Sequence, residues 1–147
     1  MENATQTSGT PKHLWLVGIL ALLWNAMGAM DYVMTQTRNA DYMAAFTPEQ
    51  LAFFYGFPAW VDACWAIAVW GGVLGAVLLL LRRGLAAPVL LTSWVMMVLV
   101  TLRNYVFANG LEVVGDPVSL LFTAVIFVIA FVLYGYARWM RRRGVLQ

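Results

Sequence analysis

The sequence predicts an all-α integral membrane protein: a four-helix bundle with both termini in the cytoplasm and a short interfacial helical segment between its first two spans. Three observations predict it. Of the 147 residues, 63% are hydrophobic and 11% charged, whereas a soluble domain carries about a quarter charged residues. The apolar residues fall in four runs, each long enough to cross roughly 30 Å of hydrocarbon at about 1.5 Å per helical residue. The basic residues gather at one set of run ends: Lys12, Arg82, Arg83, Arg138, Arg141, Arg142 and Arg143 stand on one side, against Arg38 and Arg103 on the other. The side richer in Lys and Arg is expected to be cytoplasmic. Asp31, Asp41, Glu49, Asp62, Glu112 and Asp116 fall on the opposite side, which makes the outer face acidic.

Residues 1–11 are polar and read as a disordered cytoplasmic tail. The first span covers about residues 14–34. Lys12 followed by Leu14 to Trp24 also resembles a signal peptide, but the apolar run resumes after Asn25. Ala26, Gly28 and Ala29 make no clean cleavage site, so a retained anchor is the better reading. Residues 36–57 are too polar to span, yet hold Tyr42, Phe46, Phe53, Phe54 and Tyr55, as expected of one or two short helices in the outer interface. Thr47-Pro48-Glu49-Gln50 predicts a helix start, with Thr47 as N-cap and Gln50 closing a capping box. The second span runs from Pro58 to about Leu81 and the third from about 86 to 107. After a polar loop, the fourth runs from about 117 to 139. The chain is expected to form one transmembrane domain over residues 1–147.

Within the second span Ala68, Gly72 and Ala76, with Gly71 and Gly75 beside them, recur at the four-residue spacing that lets helix backbones approach closely. Packing against a neighbouring helix of the same chain is the first expectation, and contact with a second subunit the alternative.

Ionisable residues inside a span need a partner or water. Asp31, Asp62 and Arg103 lie 17, 19 and 17 residues from the inner ends of their spans at Leu14, Leu81 and Ala86. At about 1.5 Å per residue this places all three at nearly one depth. An Asp–Arg–Asp cluster is therefore expected, in a small polar chamber with Asn25 deeper and Tyr32, Trp60, Asn104 and Tyr105 around it. Aromatic walls stack on sugars and attract cations. The plainer alternatives are mutual neutralisation, snorkelling to water, and an interfacial aromatic belt.

Several function classes are excluded. Cys64 and His13 are the only residues of their types, so a Cys/His metal site and an internal disulfide are not expected, and neither is any cofactor. The basic residues sit at helix ends, where phospholipid head groups lie, so nucleic acid is not an expected partner. There is no G-x-S-x-G, H-E-x-x-H or phosphate-loop motif, and enzymatic activity is not expected.

Trp24-Asn25, the Pro58-Ala59-Trp60 opening, the run from Ala66 to Gly75 with Leu78 to Arg83 after it, and Asn109-Gly110 together resemble a family of small four-span bacterial inner-membrane proteins. Its members are often labelled sugar transporters without demonstrated activity. The resemblance covers most of the chain and implies an inner-membrane location in Gram-negative bacteria and solute handling; it brings no binding residues. Small multidrug transporters are a second comparison, but their acid lies mid-span, whereas Asp31 is near the outer end. The expected function is binding or helping to move a sugar-like or amphiphilic solute from the outer side, with a homo-oligomer or another membrane protein as possible partner. The alternative is an accessory or scaffold protein.

Overall fold

The computed structural model describes residues 9–147, so residues 1–8 of the expected tail lie outside the described residues. The chain folds as helices α1 (Lys12–Gln36), α2 (Ala40–Met43), α3 (Pro48–Tyr55), α4 (Ala59–Leu80), α5 (Ala86–Leu102), α6 (Gly110–Val114) and α7 (Pro117–Arg142). A π-helical turn, Arg103–Phe107, prolongs α5. Four helices, α1, α4, α5 with its π turn, and α7, are long and apolar enough to cross a membrane.

Each helix end has a local cause. Thr47 accepts from the Gln50 amide while the Gln50 side chain accepts from the Thr47 amide, so the predicted capping box forms. Asp116 accepts from the amides of Val118 and Ser119 at the start of α7, and these bonds hold its carboxyl below the usual range. Three helices stop in the same way, with a left-handed residue and paired return bonds. At α1 the residue is Arg38, at α4 Arg82 and at α7 Gly144, with φ of 51°, 55° and 71°. Only the last is a glycine.

The packing order is α1, α4, α5, α7, with neighbours antiparallel. α4 is central. Its face toward α1 meets Gly18 at Leu80, Asn25 at Gly72, Gly28 at Val69 and Tyr32 at Trp65. Its face toward α5 meets Leu90 at Gly75 and Ser93 at Gly71, and the Ser93 hydroxyl donates to the Ala68 carbonyl. Ala68, Gly72, Gly75 and Ala76 are buried and Gly71 is half-buried, so these five small residues serve both neighbours. Trp94 of α5 meets Phe127 of α7 edge to face and Phe131 at a tilt.

The core sits toward the end that bears Arg82 and Arg83, the basic end. Leu14, Leu79, Ala86, Leu90, Ala137 and Met140 are buried together there, and Leu146 joins them. The opposite, acidic end buries far less, chiefly Ala29, Thr35, Met43 and Val61. α7 buries only 6% of its most apolar stretch. Exposed Val118, Leu121, Val128 and Val132 line it, as suits a helix solvated by lipid.

Candidate functional site

The acidic end gathers most of the polar and aromatic residues singled out by the sequence. Asp31 leaves the last third of α1, Asp62 the first turn of α4, and Arg103 the first position of the π turn. A π turn shifts the following residues around the helix axis, and such turns recur at functional sites.

The three charges do not bond one another, contrary to the expected Asp–Arg–Asp cluster. Asp31 Oδ1 accepts from the Tyr42 hydroxyl at 2.7 Å, and Asp62 Oδ1 accepts from Gln36 Nε2 at 3.0 Å. Arg103 donates to Asn104 Oδ1 at 3.3 Å and lies over two rings, 5.1 Å from the centroid of Phe57 and 5.7 Å from that of Phe53. The physical reason is depth as well as local company: Asp62 stands opposite Gln36, five residues beyond Asp31 on α1, so the two carboxylates lie about 7.5 Å apart along the helix at about 1.5 Å per residue. Phe53 of α3 and Phe57 after it come onto Arg103, while Gln36 of α1 and Tyr42 of α2 come to the carboxylates. Burial and the neighbouring Asp31 carboxylate push the Tyr42 phenol up to about 12.

Around Arg103 the aromatic rings form a continuous path. Tyr42 meets Phe46, Phe46 meets Phe54, and Phe54 meets Phe53 and Phe57. Phe57 then meets Trp65, which meets Tyr32 edge-on at 5.0 Å. Edge-to-face contacts at these spacings are the favourable geometry for ring pairs. Gly110 lies against the Asn104 carbonyl and the Phe53 ring, so α3 is fastened to α6 and the π turn. A second cation, Arg38, lies 4.4 Å over Tyr55.

The remaining expected residues are dispersed. Tyr105 reaches Thr123 of α7 at 3.4 Å, tying the π turn to the last span. Trp60 is 53% exposed on the first turn of α4, outside the ring path. Asn25 donates to the Ala21 carbonyl of its own helix at 2.8 Å and presses against Gly72, which makes it a packing contact between α1 and α4. Tyr42, Gln36, Phe53, Phe57 and Trp65 enter the site without having been singled out for it. Tyr42, Phe53 and Phe57 belong to the connection, which carries no periodicity to betray which span it covers, while Gln36 and Trp65 sit on α1 and α4. Polarity, aromatic density and the Thr47 capping box marked the connection, but not its partners.

No protein-family model, no curated protein and no solved structure matches this chain.

Separate partners predict independent energies. Arg103→Leu loses contacts worth about 0.5 to 2 kcal/mol, the range for cations over rings. Asp62→Asn added to it should contribute additively within about 0.5 kcal/mol. Thermal unfolding in detergent of the single and double variants measures this, and strong recovery in the double variant would show that the charges pair after all. The bond from Tyr42 has its own pH signature. Its contribution is fully present below the ordinary tyrosine value of 10.0 and is lost as pH rises through about 12. Tyr42→Phe should remove that alkaline decline.

Proposed function

We propose that the chain is a non-enzymatic four-span protein of the bacterial inner membrane that recognises a small sugar-like or amphiphilic solute at its acidic end. In this reading that end faces outward, both termini are cytoplasmic, and α2 and α3 lie in the outer interface. The observation that carries it is Arg103. It is half-buried on a π turn, stacked on Phe53 and Phe57, with an adjacent asparagine rather than a carboxylate as its polar partner. A guanidinium has five donors, and here most remain for a ligand. Rings beside it supply an apolar wall, so a head that accepts hydrogen bonds joined to a flat or apolar body matches the site.

The test is a thermal-shift screen of sugars and small amphiphiles in detergent. Protection is expected in the wild type and should vanish in Arg103→Gln where the fold survives; protection that persists unchanged removes Arg103 from the site. The rival is an accessory or scaffold role, which draws on the broad exposed apolar face of α7. Stoichiometric co-purification of another membrane protein, with no solute protection, would favour it.

Orientation has an independent check. A reporter active only in the periplasm should be silent when fused after Gln147 and active when inserted near Asn39. An active fusion after Gln147 would overturn the cytoplasmic assignment of that end.

A further inference from the structure

We propose that the basic end carries a binding site for the phosphate of an anionic phospholipid, between the α4–α5 turn, the start of α1 and the segment Gly144–Gln147. A cavity of about 430 Å³ lies there, lined by Thr10, Arg82, Arg83, Val145 and Gln147. Its volume is in the range of small-molecule sites.

Charge at this end is unbalanced. Lys12, Arg82, Arg83, Arg138, Arg141, Arg142 and Arg143 all lie here, while every Asp and Glu of the described residues lies at the opposite end. Among the described residues, the side-chain partners that these cations find are uncharged. Arg82 Nη1 donates to Thr10 Oγ1 at 2.7 Å, Arg138 donates to the Tyr134 hydroxyl at 3.1 Å, and Arg143 lies 4.5 Å over the Trp139 ring. Guanidinium groups without side-chain carboxylate partners are the usual recognition chemistry for phosphate.

Excess positive charge would follow from topology alone, so the way the backbone sets these arginines at a cavity matters more. Arg82 stands at the left-handed position that ends α4, with φ of 55°. The Arg82 amide returns to the Leu79 carbonyl and the Arg83 amide to the Leu78 carbonyl. Glycine is the favoured residue at that position, as Gly144 is at the matching end of α7. Arg38 takes the same position at the end of α1 with its guanidinium over the Tyr55 ring, so what distinguishes Arg82 is that the turn sets its side chain at the wall of the cavity beside Arg83. The backbone is fixed from the far side as well. Gln147 donates to the Arg82 carbonyl at 2.9 Å and accepts from the Gly84 amide at 2.6 Å, so the turn and the final segment move as one wall.

The border of the cavity selects the source of the phosphate. Leu81 lines it and is 62% exposed, and Leu85, on the same turn, is 65% exposed. A phosphate site edged by bare leucines at the end of membrane-spanning helices suits a head group with its acyl chains beside it, more than a phosphate free in solution.

Native mass spectrometry of the full chain in detergent, with dioleoyl phosphatidylglycerol or phosphatidylcholine added, tests this. The expected result is preferential retention of phosphatidylglycerol, roughly fivefold weaker in Arg83→Gln and in Arg82→Gly, the scale of one basic residue at a lipid surface. Arg82→Gly also relieves the left-handed arginine, so it should keep or raise thermal stability in lipid-free detergent while losing lipid. Arg142→Gln removes the same charge from the same end outside the cavity and should leave retention unchanged. Equal retention of the two lipids, or an Arg142→Gln effect as large as that of Arg83→Gln, would overturn the site. Thermal protection by inorganic phosphate that vanishes in Arg83→Gln, without lipid preference, would overturn the phospholipid as the source.

Discussion

Gly72→Leu and Gly75→Leu are each expected to lower stability by about 1 to 3 kcal/mol, the scale of overpacking at a close helix crossing. The two glycines fail for different reasons. A Cβ at Gly72 would fall on the Asn25 side chain of α1, and one at Gly75 on the Leu90 side chain of α5. Even Gly72→Ala therefore forces Asn25 to move and give up its place beside the Ala21 carbonyl. Adding Asn25→Ala should recover much of that loss, because the space then exists. The recovery is a coupling between neighbours and should not extend to Gly75→Ala. Gly135 is the internal reference. A Cβ there meets nothing within 4 Å, so Gly135→Ala should be neutral or gain up to about 1 kcal/mol from reduced backbone freedom. Thermal unfolding of the set in one detergent measures all of these. Wild-type stability in both leucine variants would mean that this face of α4 looks at lipid.

The same contrast shows what was legible in the sequence. Glycines at four-residue spacing announce a close approach, and the Thr47 box announces a helix start, because each signal is local and its partner is a neighbouring helix of any kind or the same turn. Depth was legible only in part, since residue count puts Asp31, Asp62 and Arg103 on one level whereas Asp62 meets Gln36, five residues beyond Asp31 on α1. Which of them touch was not. Contact between spans requires rotation about each helix axis, and the partners that settled it came from the connection and, for Asp62, from the last residue of α1. Tyr42 lies on α2, Phe53 on α3 and Phe57 just before α4. The π turn at Arg103 left no mark in the sequence either; its residues meet α6 and α7 in the fold. Asn25 shows the opposite case. A lone polar residue in a span reads equally as a ligand contact and as a helix contact, and only Gly72 beside it decides.

One signal lay in plain view. Gly144 follows three arginines and precedes Val145 and Leu146, a helix stop succeeded by an apolar pair. In the fold Gly144 takes the left-handed conformation, the Val145 amide returns to the Met140 carbonyl at 3.0 Å, and Leu146 turns into the core at 4% exposure. Leu146→Ala should accordingly be costly. Leucine-to-alanine changes in cores cost about 2 to 5 kcal/mol. Here the low end applies, near 2 kcal/mol, because a short segment can undock before the helices separate and its own docking energy caps the loss. The readout distinguishes this from a general weakening. Amide exchange at Gly84 and Gln147, whose bonds join the α4–α5 turn to the final segment, should accelerate by about thirtyfold, the equivalent of 2 kcal/mol at about 1.4 kcal/mol per tenfold. Exchange in the middle of α4 should stay near wild type. Leu146→Asp should go further, since a carboxylate cannot remain among Leu14, Leu79 and Met140 without a partner. Exchange that rises equally at Gly84 and throughout α4 would show that the segment is part of the global unit rather than a clasp upon it. Unchanged exchange at Gly84 would show that Leu146 does not hold the turn.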